Sequence, residues 1–445
     1  MAIKCGFAAL LALVILLGCP EVVQAQSMPI NPAIALQYFQ EAQAASKIDG
    51  GKLWGVRVYG PLLFVDPVTH NVVANQADHE GLLTKEGEVY VGHLPDTVPI
   101  ANSTAIWGRI KWAMIVWPFL TQDQSQRVKL MTHESFHRIE KNFLLPGVKT
   151  TNDHLDTEEG RVWLQLEWRA LRQALTASGT ARRHAIEDAL TFREYRRSLF
   201  PDADASERYA ELKEGLAEYT GLKLSAGDNA KLIAQLTKAI EAEAARPTFM
   251  SSFAMSSGPA YGILLDSSEP HWRKGLTPRQ DLGTLLQSAM KIELAPDLKA
   301  RAEKQAGLYD GEALRTAEAQ RAEKRLDQIA ANRQRFLAGP TLLIPLTDQR
   351  SITVVSNKVV PIDGVGAVYP TSRIVDDWGT LELSKGALMV QNENGRIRQV
   401  YLSLPEDLKG RPLKGKGWKL QLASGWEVIP GSREGDYFLR KIKPQ

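Results

Sequence analysis

The sequence predicts an α+β multidomain fold, and three observations carry the prediction. Between Leu53 and Trp117 the chain has strand-like alternation, and between residues 121 and 225 apolar residues recur three and four apart behind capping residues. Beyond Gly339 short apolar runs alternate with glycine and proline turns. At 445 residues the chain is also too long for one typical domain. The parts expected are a leader over 1–25, an N-terminal β-rich subdomain over 26–118, a helical domain over 119–290, a charged helical segment over 291–338 and a C-terminal all-β domain over 339–445.

The leader is read from its composition. Lys4 precedes the apolar run "GFAALLALVILLG", and "VQA" at Val23–Ala25 supplies small residues at a cleavage site, so a signal peptide cut after Ala25 is expected. "LLGC" at Leu16–Cys19 resembles a lipoprotein signal; a lipid anchor on Cys19 is the alternative, and Pro20 speaks against it. Both cysteines, Cys5 and Cys19, lie in this leader, which leaves the mature chain without disulfide or thiolate ligand. An exported bacterial protein, periplasmic or secreted, is the expectation, and histidines and carboxylates must hold any metal. No later run reaches about 18 apolar residues, so no transmembrane segment is expected in the mature chain. A net charge of +3 without a basic stripe among aromatics gives no reason to expect nucleic acid as a partner.

The strands expected first are "LWGVRVYG", "LLFVD", "VVAN" and "EVYVG", closed by "IKWAMIVW", in which Ile110, Trp112, Met114 and Val116 alternate with Lys111, Ala113, Ile115 and Trp117. A helix follows, capped by Thr121 or Asp123, running through "QSQRVKLMTHESFHRIEKNF" and broken at Pro146 and Gly147. A second is expected over Glu159–Ala177, where Leu164, Trp168, Leu171 and Leu175 share a face, and a third over Ala181–Phe200 before Pro201. A fourth starts near Asp204, with Glu207 at capping-box distance, and continues through "ERYAELKEGLAEYTGLKL". "SSGPAYGILLD" at Ser256–Asp266 reads as a loop entering another apolar helix. From Leu298 to Phe336 the chain is charged and alanine-rich, the pattern of solvated helix turning at "GLYDG".

One motif carries chemistry. In "LMTHESFHRIEK", His133 and His137 are four apart, so a helix turns both imidazoles to one side, as two zinc ligands require. Glu134 is rotated about 100° away, placed to hold a water rather than to ligate. Taken alone, the stretch is also compatible with a solvated helix face bearing incidental histidines. A catalytic zinc usually has three protein ligands and one open position. The metzincin continuation fails, because Phe143 stands where its third histidine belongs. Downstream, "LKEGLAEYTG" puts Glu214 and Glu218 on one side of a helix that can lie against the first.

These two segments resemble the gluzincin superfamily of zinc metallopeptidases, whose helices carry HExxH and, further on, a glutamate in a setting similar to "NEG(F/L)A". The resemblance covers the two segments and the strand before them. It implies that residues 119–290 form a zincin-like catalytic domain in which His133, His137 and Glu214 hold Zn²⁺, Glu134 is the general base and Glu218 orients a ligating histidine. The interval between His137 and Glu214 exceeds the usual gluzincin gap, and the two intervening helices fill it as an excursion. His154, or Asp156 beside it, remains a rival third ligand. Tyr261 in "GPAYG" is the implied donor to a developing oxyanion, with His271 as its rival; a packing role for the tyrosine is the bland reading. The strand Ile110–Trp117 matches the edge strand that pairs with extended substrate. A peptide or protein is the implied substrate, and the lack of a motif like "GxMEN" favours an endopeptidase or a specialised substrate. The alternative is a catalytically inactive gluzincin-like scaffold or binding protein of the cell envelope.

Overall fold

A computed structural model describes residues 29–95, 97–140, 151–347, 350–354, 359–362, 364–392 and 396–442. The expected leader with Cys5, Cys19 and the cut after Ala25, together with Phe143 and the break at Pro146 and Gly147, lies outside the described residues. The chain is α+β, with a strand-rich C-terminal region, and it divides between residues 319 and 320 into two compact units. No helix among the described residues is long and apolar enough to cross a membrane.

The first unit begins with a helix absent from the sequence reading, α1 (Pro32–Asp49). Its signals are local: the Asn31 side chain accepts from the backbone of Ala33 and Ile34, Pro32 opens the first turn, and Gly50 closes it at φ 64°. A six-stranded sheet follows, made of β1 (Leu62–Val65), β2 (Asn71–Ala74), β3 (Thr84–Glu86), β4 (Val89–His93), β5 (Ser103–Trp107) and β6 (Ile110–Val116). Their order is β3-β4-β2-β1-β6-β5. Strand alternation sorts the side chains: Leu62, Phe64, Ala113 and Ile115 pack with Phe39 of α1, while Leu63, Val65, Trp112 and Met114 form the core of the other face. Strand β6 is bonded on both sides, parallel to β1 and antiparallel to β5, so it is not the edge strand the resemblance implied; β5 holds that edge.

The helices of this unit are α2 (Gln124–Phe136), α3 (Glu158–Thr176), α4 (Gly179–Ser198), α5 (Ala203–Ala210), α6 (Leu216–Ser225), α7 (Asn229–Ala244), α8 (Ala254–Ser268), α9 (Leu282–Met290) and α10 (Leu298–Ala306). Leu164, Trp168, Leu171 and Leu175 of α3 are all buried in one core with α4, α6 and α8. The expected entry loop at the head of Ser256–Asp266 is absent, and only the helix is found: these residues are helical throughout α8, with Pro259 inside. Gly258 and Pro259 look like breakers in isolation, yet Ala254 to Leu265 are buried at every position, and tertiary packing overrides their local preference. A left-handed Asp310 (φ 53°) turns the chain at "GLYDG" into α11 (Gly311–Arg333), which crosses the boundary between the units.

In the second unit, strands between Thr341 and Lys441 form a seven-stranded and a five-stranded sheet. Leu342, Met389 and Leu402 from the first meet Ile374, Leu381 and Trp418 from the second in a shared core.

Candidate metal centre

Helix α2 delivers the two histidines. Asp123 caps it by accepting from Gln126 N at 2.8 Å, and Val128, Leu130 and Met131 seat it on the sheet. The α-helix stops at Phe136, short of the expected break at Pro146. Arg138 N and Ile139 N then bond three residues back, to Ser135 O and Phe136 O, tightening the chain beyond the helix. Lys111 Nζ of β6 donates to the freed carbonyl of His137 at 2.7 Å. The tightened turn brings Glu140 under His137, where Oε2 lies 2.5 Å from Nδ1.

The third member of the group, Glu214, comes from beyond α5, in a π turn over Glu211–Gly215 that leads into α6. Two features fix this turn. Arg193 of α4 donates both terminal nitrogens to Glu211, at 2.8 and 2.5 Å, and both residues are fully buried. Gly215 meets Gly258 of α8 so closely that a Cβ on Gly258 would stand 2.4 Å from Gly215 Cα. Six residues on, Gly221 packs against α2, where a Cβ would come within 2.8 Å of Lys129 O. Glycine is needed at these crossings because any side chain would part the helices.

The result is one convergent group. Glu214 Oε2 lies 3.5 Å from Nε2 of His133 and 3.5 Å from Nε2 of His137, and the potential ligand atoms of the three residues all fall within 4.8 Å of one another. Tetrahedral zinc with ligand distances near 2.0–2.1 Å separates its ligands by about 3.3 Å, which the two Glu214–imidazole distances match. The other imidazole nitrogens are occupied: His133 Nδ1 lies 3.1 Å from Glu218 Oε2, and Glu218 in turn accepts from Lys129 Nζ at 2.5 Å. Carboxylates on both Nδ1 atoms leave the two Nε2 atoms facing Glu214. Among the described residues, His133 Nε2 and Glu134 Oε2 are buried with no hydrogen-bond partner, although each residue is at most 4% exposed. Buried polar atoms are ordinarily satisfied, and two unpartnered atoms beside this group fit a place that can take a cation and a water.

The electrostatics favour positive charge at the same point. Burial works against a charged imidazole, but Glu214 and Glu218 outweigh it and push His133 up to about 9. Glu140 and Glu214 likewise overcome burial at His137, pushing it up to about 10. Burial would raise Glu218, yet Lys129 and His133 bring it down to about 2; Glu214 is held well below the usual range against burial by the two histidines and Lys213. Burial raises the Glu134 carboxyl. The donor set of two imidazoles and one carboxylate therefore suits a divalent cation such as Zn²⁺.

Neither a family model, nor a curated protein, nor a solved structure matches this chain.

The remaining candidates are engaged elsewhere. Tyr261 is fully buried and its hydroxyl donates to Glu167 Oε1 at 2.8 Å, with Arg193 over its ring. A phenol so enclosed offers no donor to a substrate, which corrects its implied oxyanion role. His154 sits in a 3₁₀ turn with Nε2 2.8 Å from Glu207 Oε1, and Asp156 accepts from Phe249 N at 2.8 Å, so neither joins His133 and His137. Glu207 is no capping partner either; it is fully buried between Arg196 and Arg197. His271 is an exposed turn residue. The sequence reading did not single out Glu140, Lys129 or Lys213. Glu140 stands three residues after His137 and was within reach of a spacing argument; Lys129 and Lys213 act through contacts visible only in the fold.

Proposed function

We propose that the chain is an exported zinc-dependent metallopeptidase of gluzincin type. His133, His137 and Glu214 are the ligands, Glu134 is the general base, and the reaction is peptide-bond hydrolysis. The observation that carries this reading is the convergence of Glu214 Oε2 on both Nε2 atoms, 3.5 Å from each, beside two buried polar atoms without partners. A zinc ion held there supplies Lewis acidity toward a carbonyl and a water. Glu134 takes a proton from the attacking water and returns it to the leaving amine. Burial raises the affinity of its carboxylate for that proton. Glu218 and Glu140 fix the orientation of the imidazoles. Tyr261 has no part in this scheme. An extended peptide adding to the sheet would pair with β5 rather than β6. The expected leader puts the reaction outside the cytoplasm.

Glu134→Gln tests the reading. The variant is expected to keep one zinc per chain while cleavage of a mixed peptide library falls at least about 100-fold. Undiminished cleavage would remove Glu134 from the chemistry. A wild type that holds zinc yet cleaves nothing in the library would favour the scaffold or binding protein of the envelope.

A further inference from the structure

Each of the three convergent side chains has its other polar atom taken by a charged neighbour: Glu218 on His133, Glu140 on His137 and Lys213 on Glu214. The first two are carboxylates on imidazoles. The third differs in sign and in effect. Lys213 Nζ stands 3.0 Å from Glu214 Oε1, whereas Oε2 of that carboxylate faces the histidines. Residues adjacent in sequence do not ordinarily face each other on a helix. These two pair inside the wider π turn Glu211–Gly215, anchored by Arg193 at one end and by the Gly215–Gly258 contact at the other. The Lys213 side chain is 39% exposed, so water could serve its ammonium equally well. The pairing therefore matters to Glu214 more than to Lys213. A carboxylate with both oxygens free can chelate a cation and occupy the position that a catalytic site must leave open.

We propose that Lys213 is a positioning residue that restricts Glu214 to one-oxygen ligation of a divalent cation, keeping the fourth position of the centre open to exogenous ligands. This rests on the metal-centre reading above. Cobalt(II) in place of zinc gives a readout independent of activity, because its visible absorption reports coordination number. Wild type, Lys213→Met and Lys213→Arg are each loaded with Co²⁺, checked by thermal unfolding, and titrated with azide. Wild type is expected to hold one Co²⁺ per chain with a saturable azide response. Lys213→Met is expected to keep its Co²⁺, to show the weaker absorption of a higher coordination number, and to lose azide affinity at least tenfold; Lys213→Arg restores both properties. A Lys213→Met spectrum and azide affinity equal to wild type would overturn the proposal, and so would loss of Co²⁺ from that variant alone. A wild type that takes up no Co²⁺ would overturn the metal centre itself.

Discussion

At the scale of single residues, the proposed centre depends on atoms one hydrogen bond removed from its candidate ligands. His133 and His137 turn Nε2 to Glu214 while Glu218 and Glu140 engage Nδ1, and Glu218 is in turn anchored by Lys129. Truncating such a partner leaves the ligand in place but free to rotate. Glu218→Ala and Glu140→Ala are each expected to weaken zinc binding by about 10–100-fold, measured by competition with a chromophoric chelator. The loss in Glu218→Ala is expected to be the larger, because Lys129, 7% exposed, is left beside the ring without its carboxylate. Equal affinities in wild type and both variants would show that packing alone orients the rings.

At the scale of elements, the proposed metal centre lies where α2 crosses the segment from the π turn into α6, and glycines set the closeness of that crossing. Gly258→Ala places a methyl group against Gly215 Cα, where no flexible side chain can yield. It is expected to cost about 1–3 kcal/mol in denaturant unfolding and to lower zinc affinity by moving Glu214. Unchanged affinity at reduced stability would separate the crossing from the site. The same elements show what the sequence discloses. The spacing in "HESFH" is local, so the pair His133 and His137 was legible, and "KEGLA" yielded Glu214 despite the long interval. The alternation of Ile110 to Trp117 correctly sorted β6 between its two cores, but the neighbours of a strand are not written in it, and its interior position was missed. Tyr261 misled for a related reason. Its oxyanion role came from the resemblance alone, whereas the pairing of its hydroxyl with Glu167 is a contact between α8 and α3 that no local pattern encodes.

At the scale of the molecule, residues 29–319 are braced by a buried ionic network. Arg193, Arg196 and Arg197 of α4 engage Glu167, Glu207, Glu211 and Asp281, joining α3, α4, α5, the π turn and the start of α9. Removing one partner strands buried charge, so Arg193→Met is expected to destabilise the unit by about 3–5 kcal/mol in denaturant unfolding. Burial would raise Glu207 and Asp281, but the arginines outweigh it and hold both carboxyls well below their usual range. Their contribution is therefore complete above the unfolded-state values near 4 and is lost as pH falls from there toward the folded-state values. Stability measured between pH 6 and 2 should decline below about pH 4 and should decline less steeply in Glu207→Gln, already weakened at neutral pH. A steeper fall in that variant would contradict this assignment. The network also fixes Glu211 and with it the turn that carries Glu214, so fold and site share one support. Metal analysis of the purified chain, run beside His133→Ala and Glu214→Ala, tests the centre most directly. The account predicts one zinc per chain in wild type and loss from both variants; zinc retained in Glu214→Ala, or none in wild type, would contradict it.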